Sequence, residues 1–238
     1  MRVGVTLPSF RDDAAAAVDG AIRAEALGLH GVFVFDHLWP LGQPERPALS
    51  AWPLLGAVAA STSRVVLGPL VARVGLLPDE LLLAAAATLA RIAPGRVVAG
   101  IGTGDSASAP ENAAFGIDYP PAADRRAAMA RCADALVAAG LPVWIGGGAP
   151  RTVEVAVRTG AALNLWQAAP DTVARYAGRC EVTWAGVLPA EEPALLEHLR
   201  ALADAGASWA VGVWPPSLEA LAGAATVLAG AGRGGSGR

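Results

Sequence analysis

The stretch VWIGGGAPRTVEVAVRTGAALNLWQAAPDTVARYAGRCEVTWAGV, residues 143–187, holds two complete strand–helix cycles and the strand of a third. Val143–Ile145, Ala162–Leu165 and Val182–Val187 are apolar runs of strand length, and between them residues 150–159 and 169–179 space their apolar positions as a helix does. Parallel strands covered by helices on one face and packed on the other read as near-continuous apolar runs, because neither side meets water. Pro150 and Pro170 stand where the two helices open, a position at which a missing N–H costs little, and Gly160 follows the first helix end.

The same cycle extends in both directions. Strands are expected near Val3–Leu7, Gly31–Phe35, Val65–Val71, Val97–Ile101 and Trp209–Val213, with helices over roughly 12–28, 50–61, 78–92, 121–139, 191–205 and 216–229. Pro78 and Pro216 mark further helix starts, and Gly28 and Gly140 further helix ends. Eight cycles of this kind predict an α/β protein built as a (β/α)8 TIM barrel, one domain over residues 1–229. A doubly wound open sheet is the alternative, but no GxGxxG turn follows the first strand. Residues 230–238 are almost entirely Gly, Arg, Ala and Ser, which bury too little surface to offset their ordering entropy, so a flexible C-terminal tail is expected.

A chain of 238 residues, 54% apolar and only 16% charged, can bury a large core. Its net charge is −3 and its eighteen basic residues are all Arg, so the footprint of a nucleic-acid binder is missing. No stretch approaches the ~20 apolar residues of a membrane helix, and the N-terminus leads directly into a strand. Cys132 and Cys180 have neither CxxC nor zinc-finger spacing, and no His, Cys, Asp or Glu set has metal-ligand spacing. These features predict a cytoplasmic protein without a metal, acting on a small molecule rather than on nucleic acid or membrane.

Two connections are longer than a barrel needs, Asp36 to Ala48 and Gly102 to Pro120, and both leave carboxyl ends of strands, the face where barrel enzymes place their chemistry. In the first, an apolar strand ends abruptly in Asp36-His37-Leu38-Trp39. His37 can do acid–base work near neutrality without a large pKa shift, and Trp39 supplies a flat wall; the plain alternative is that Asp36 caps the loop and His37 is structural. In the second, Gly102-Thr103-Gly104-Asp105 would let a planar ligand approach the backbone, with Asp105 able to bind its polar edge or assist a proton transfer, though such turns also serve only to reverse the chain. Gly146-Gly147-Gly148, opening a helix beside Arg151, offers free N–H groups and a cation to an anion, or is a plain turn after its strand. Trp39, Trp166 and Trp214 all fall at strand carboxyl ends and are candidates to line an aromatic pocket or to plug the core.

Several of these stretches together resemble the luciferase-like monooxygenase superfamily, barrels related to bacterial luciferase that use a flavin or the deazaflavin coenzyme F420. The resemblance is carried by Met1–Pro8, by Ala24-Glu25-Ala26-Leu27-Gly28 leading to Gly31–His37, and by Leu89–Gly104. Asp36-His37 is most similar to the deazaflavin-using members. The resemblance implies a cofactor across the barrel mouth, with Asp36 at its tricyclic ring and His37 near the reactive carbon as acid or base. Trp39 would be a wall beside it. It implies a bulge with a non-prolyl cis peptide against the ring at Leu70, Val71 and Ala72, with Thr103, Gly104 and Asp105 bordering ring or substrate. Gly146, Gly147, Gly148 and Arg151 would take the cofactor's phosphate.

The function so implied is hydride transfer between coenzyme F420 and a small organic substrate, with His37 managing the proton. Two other readings stay open: an FMN-dependent monooxygenase of the same fold, and a flavin- or deazaflavin-binding barrel without turnover, since insertions usual after the family's later strands are reduced here. The resemblance also implies a homodimer through helices two and three, and the apolar segment Leu81–Leu89 is expected to be buried on every side.

Overall fold

The structure, a computed structural model, describes residues 1–215 and 217–231. Its strands are β1 (Arg2–Thr6), β2 (Gly31–Val34), β3 (Val66–Pro69), β4 (Ala72–Arg73), β5 (Ala99–Gly102), β6 (Val143–Gly146), β7 (Ala162–Trp166), β8 (Val182–Gly186) and β9 (Ala207–Gly212). All pairings are parallel, in the order β3-β2-β1-β9-β8-β7-β6-β5-β4. The ring closes where the Leu67 N–H donates to the Arg96 carbonyl (2.8 Å) and the Val98 N–H to the Leu67 carbonyl (3.0 Å). The nine strands make eight barrel staves, because β3 and β4 are one strand divided at the cis peptide Leu70–Val71. The (β/α)8 barrel expected from the alternating pattern is therefore the observed architecture.

Helices α1 (Ala15–Ala26), α2 (Ala51–Ser61), α3 (Asp79–Ile92), α5 (Ala122–Ala138), α6 (Pro150–Thr159), α7 (Pro170–Ala177), α8 (Glu192–Asp204) and α9 (Leu218–Ala231) fall where the periodicity puts them. Pro150 and Pro170 sit in the first turns of α6 and α7, and Gly160 ends α6 in a left-handed conformation, φ 73°. Three expectations need correction. The connection 102–120 is not bare loop: it carries a 3-10 turn at Ser106–Ser108 and a short helix α4 (Ala109–Ala114). Helix α9 runs to Ala231, two residues into the expected tail, while residues 232–238 and the helix start expected at Pro216 lie outside the described residues. Within this chain α3 is not enclosed, for Leu81 and Ile92 are exposed. Among the described residues no helix is long and apolar enough to cross a membrane.

The core has two layers. Between strands and helices lies a ring of Val, Leu, Ala and Ile side chains, and inside the barrel three aromatics make a plug: Phe33 to Trp144 at 5.0 Å, Trp144 to Trp209 at 5.4 Å and Phe33 to Trp209 at 5.9 Å between ring centroids. Bulky rings there require the strands to be thin elsewhere. At Gly68, beside the closure, a Cβ would lie 2.0 Å from the Val98 carbonyl oxygen, so only glycine admits the close approach of β3 to the next stave.

Glu25, within one of the segments that carry the family resemblance, has a structural role of its own. Its carboxylate accepts the backbone N–H groups of Ser63, Arg64 (2.6 Å) and Val65 (2.9 Å) and so fixes the turn that starts β3. Burial pushes this carboxyl up, but the hydrogen bonds outweigh it and hold the pKa at about 2. Glu25→Ala leaves the N–H of buried Val65 without its acceptor, while those of exposed Ser63 and Arg64 turn to water, and is expected to cost about 1 kcal/mol, read from urea unfolding of the two proteins side by side. A group with a depressed native pKa stabilises above its unfolded value and loses that contribution as pH falls through the native one, so the difference between the two proteins shrinks below about pH 4.

Candidate active site

Above the aromatic plug, the carboxyl ends of the strands surround a cavity of about 650 Å³. Its floor is set by the divided third strand. Val71 projects from the cis bond across Gly102 of β5 and Gly146 of β6, where a Cβ would lie 2.5 Å and 3.0 Å from Val71 methyl carbons. Two glycines in adjacent strands thus seat the Val71 side chain, which forms a shallow aliphatic shelf in the cavity. Leu70, Thr103, Gly104 and the turn Gly146-Gly147-Gly148 continue the lining, and the turn leads into the N-terminus of α6.

At one side of the shelf Asp36 and His37 follow β2 after Phe35, and both line the cavity. The His37 Nδ1 lies 3.1 Å from Oε2 of Glu111, which comes from α4. Glu111 has no exposed surface. Its Oε1 accepts the Leu38 N–H, and its Oε2 accepts Arg73 Nη1 at 2.7 Å. Burial raises the Glu111 carboxyl, but the hydrogen bonds from His37, Arg73 and Leu38 prevail and hold its pKa at about 2. An ionised carboxylate only accepts hydrogen bonds, so in neutral His37 the proton sits on Nδ1 and Nε2 keeps its lone pair. Asp36 is different: burial pushes its carboxyl up, and the Arg73 N–H (3.2 Å) and nearby guanidinium only partly offset this.

Arg73 is the carboxyl-terminal residue of β4 and only 4% exposed; its Nε and Nη2 have no hydrogen-bond partner among the described residues. Neither Arg73 nor Glu111 was singled out by the sequence reading. Arg73 had a signal there, a cation at the end of an apolar run, whereas Glu111 lies in a connection whose helix buries Glu111 and Asn112 and so shows no apolar period.

Of the residues read from the sequence, Asp36, His37, Leu70, Val71, Gly102, Thr103, Gly104, Asp105, Gly146, Gly147 and Gly148 line the one cavity. Ala72, Trp39 and Arg151 do not. Ala72 is buried in β4, Trp39 packs on Phe115 (5.6 Å), and Arg151 is exposed on the first turn of α6. Asp105 lines the cavity, but its carboxylate accepts the Ala107 N–H (3.0 Å) and caps the following turn. Trp166 lines the cavity as the tryptophan reading allowed, whereas Trp214 packs against the first helix, over Gly20. The thiols stay apart from the site: burial, with Asp79 beside it, pushes the Cys132 thiol up to about 12.

Comparison with known proteins places these features in context. The family model described as luciferase-like monooxygenase matches residues 1–138. A curated relative from Beutenbergia cavernae, an F420-dependent glucose-6-phosphate dehydrogenase, is 41% identical over 126 residues, 52% of this chain and 35% of the relative. The chain thus spans about a third of the length of the curated relatives it matches. An F420-dependent secondary alcohol dehydrogenase, solved with an F420–acetone adduct, superposes with a TM-score of 0.77 at 17% identity over 94% of this chain and 97% of that one. The monooxygenase RslO1 from Streptomyces bottropensis superposes at 0.72 with 16% identity, over 97% and 98% of the two chains. At such identities these two structures speak for the barrel alone.

Proposed function

Because the chain belongs to the luciferase-like monooxygenase family, we propose that it is a coenzyme F420-dependent oxidoreductase that moves a hydride between the deazaflavin and a small organic substrate. The observation that carries this reading is the Asp36–His37 pair at the cavity wall, with Glu111 setting the His37 tautomer. The curated relative's name points to the same cofactor.

The residues fit such a group. Gly102 and Gly146 make room for the Val71 side chain, which a Cβ at either position would displace, and Val71 so seated gives a planar ring an aliphatic floor within the cavity. Leu70, Val71, Gly102, Thr103 and Gly104 would border the ring, with Asp36 at its edge and Ala72 supporting the floor from within β4. Gly146, Gly147 and Gly148 lead into a helix N-terminus, where backbone N–H groups and the positive end of the dipole favour a phosphate, and Arg151 stands on the same first turn. When bound, the deazaflavin supplies a two-electron hydride acceptor or donor that reacts poorly with oxygen. The chain's own part is to orient and to handle the proton: His37 takes or returns it at Nε2 while Glu111 holds Nδ1. Asp105 and Trp39 shape the surrounding loops through its cap and its packing on Phe115.

Titration of the protein with coenzyme F420 and with FMN in parallel, followed by cofactor and tryptophan fluorescence, tests this. Micromolar or tighter deazaflavin binding unmatched by FMN is expected, with Arg151→Ala weakening it by about tenfold, the worth of one charge-assisted phosphate contact. Preference for FMN moves the reading to a flavin monooxygenase, binding without turnover to a carrier barrel, and binding of neither overturns it. We further propose a cytoplasmic homodimer through α2 and α3, whose outward residues include Pro53, Ala57, Leu81 and Ile92; sedimentation of wild type against Leu81→Glu separates dimer from monomer.

A further inference from the structure

The cavity has two unlike walls. On the β2–β5 side stand Asp36, His37, Arg73, Thr103, Asp105 and Ser108. From the ends of β1, β2, β7, β8 and β9 come Phe10, Phe35, Leu41, Trp166, Val187 and Val213, with no charged group, while Asn164 and Thr152 add neutral polar atoms deeper in the lining. This second wall has its aromatics joined: Phe10 stacks on Phe35 at 5.9 Å, and Phe35 meets the edge of Trp166 at 6.0 Å. It is also wet, for Trp166 is 50% and Val187 62% exposed. Large apolar side chains gathered in a concave mouth and left in water mark a surface that gains by being covered, and one lined by such groups with a few convergent polar atoms is built for a small apolar ligand.

The charges at the cavity point the same way. Arg73 is the single arginine among the described lining residues, its charge is matched by Glu111, and its two unpartnered nitrogens are sealed from solvent. Lysine does not occur in the chain. Apart from the α6 turn, the described lining offers a substrate phosphate only neutral side-chain donors, Thr103, Ser108, Thr152 and Asn164, beside the carboxyls of Asp36 and Asp105, and so no counter-charge for a dianion taken out of water. The α6 turn, which could hold a phosphate, is taken by the cofactor in the reading above.

We propose that the substrate is an uncharged, largely apolar alcohol or ketone, its one oxygen turned to His37 and its hydrocarbon covered by the Phe35–Trp166 wall, rather than a phosphorylated sugar. In naming the ligand a substrate this rests on the proposed oxidoreductase function; the class of ligand the wall accepts does not.

Saturation-transfer NMR with cyclohexanol, cyclohexanone and glucose 6-phosphate, on protein free of and saturated with coenzyme F420, reads the ligand class directly. Variants Val187→Asp and Trp166→Gln change exposed residues, and thermal melts verify that they fold. The apolar probes are expected to bind, and each variant to weaken them by about fivefold to tenfold, the worth of one partly covered side chain, while glucose 6-phosphate gives no signal. Binding of glucose 6-phosphate in preference, apolar binding undiminished in both variants, or binding of no probe in either form overturns the inference. If the apolar probes bind but coenzyme F420 does not, the oxidoreductase reading fails and the ligand class stands; if the cofactor and glucose 6-phosphate bind together, the reverse holds.

Discussion

Replacing His37 with alanine is expected to lower single-turnover hydride transfer by about 10²–10⁴-fold while leaving the melting temperature and deazaflavin affinity close to those of the unchanged protein. The expectation follows from what His37 touches. Its ring makes one protein hydrogen bond, to Glu111, and forms none of the shelf on which a planar group would lie, so its removal deletes a proton-transfer group and little packing. His37→Gln sharpens the test, because an amide keeps a donor for Glu111 yet takes up no proton near neutral pH; its turnover should stay with the alanine variant. The rates are measured by stopped flow on pre-formed complexes, so that binding and chemistry are read separately. If His37→Ala loses less than about threefold in rate, Nε2 handles no proton in the limiting step, and Asp36 becomes the group to test.

How much of this was legible in the sequence depended on whether a feature was local and apolar. The eight cycles could be read because barrel strands are buried on both faces and because proline and glycine punctuate the helices between them. Asp36 and His37 could be read because a strand that is all Gly, Val and Phe ends on them at the catalytic face. The break in the third strand was another matter: nothing in Leu70-Val71-Ala72 announces a cis peptide, and its expectation came from the family resemblance alone. Helix α4 escaped because the residues it buries are Glu111 and Asn112, and a helix that turns polar groups inward shows no apolar stripe. Glu111, which holds His37, and its own partner Arg73 escaped for a further reason. Arg73 and Glu111 lie 36 and 74 positions away in sequence, and a buried ion pair is a property of the closed barrel rather than of any window along the chain.

That pair sets the second large effect, this one on stability. Glu111→Ala leaves the Arg73 guanidinium, 4% exposed, without the carboxylate it is hydrogen-bonded to, and also strands the Leu38 N–H. Breaking a buried pair from one side costs about 3–5 kcal/mol, because the remaining charge is neither solvated nor matched. Glu111→Gln keeps the shape and one acceptor and should lose less. The double variant Glu111→Gln with Arg73→Gln removes both charges and should recover much of the loss, as expected when the cost lies in the orphaned charge rather than in the absent bond. The pH dependence carries its own sign. Glu111, with a native pKa of about 2 against an ordinary value of 4.5, stabilises the fold above that ordinary value and loses the contribution as pH falls through the native one. Asp36 acts oppositely: with its native pKa raised above 3.8, its contribution is present below that value and is lost as pH rises through the native pKa. Urea midpoints for the Glu111→Gln and unchanged proteins should therefore converge on acidification from pH 5 toward 3, whereas a gap that stays constant across that range would mean that Glu111 contributes through shape and not through charge.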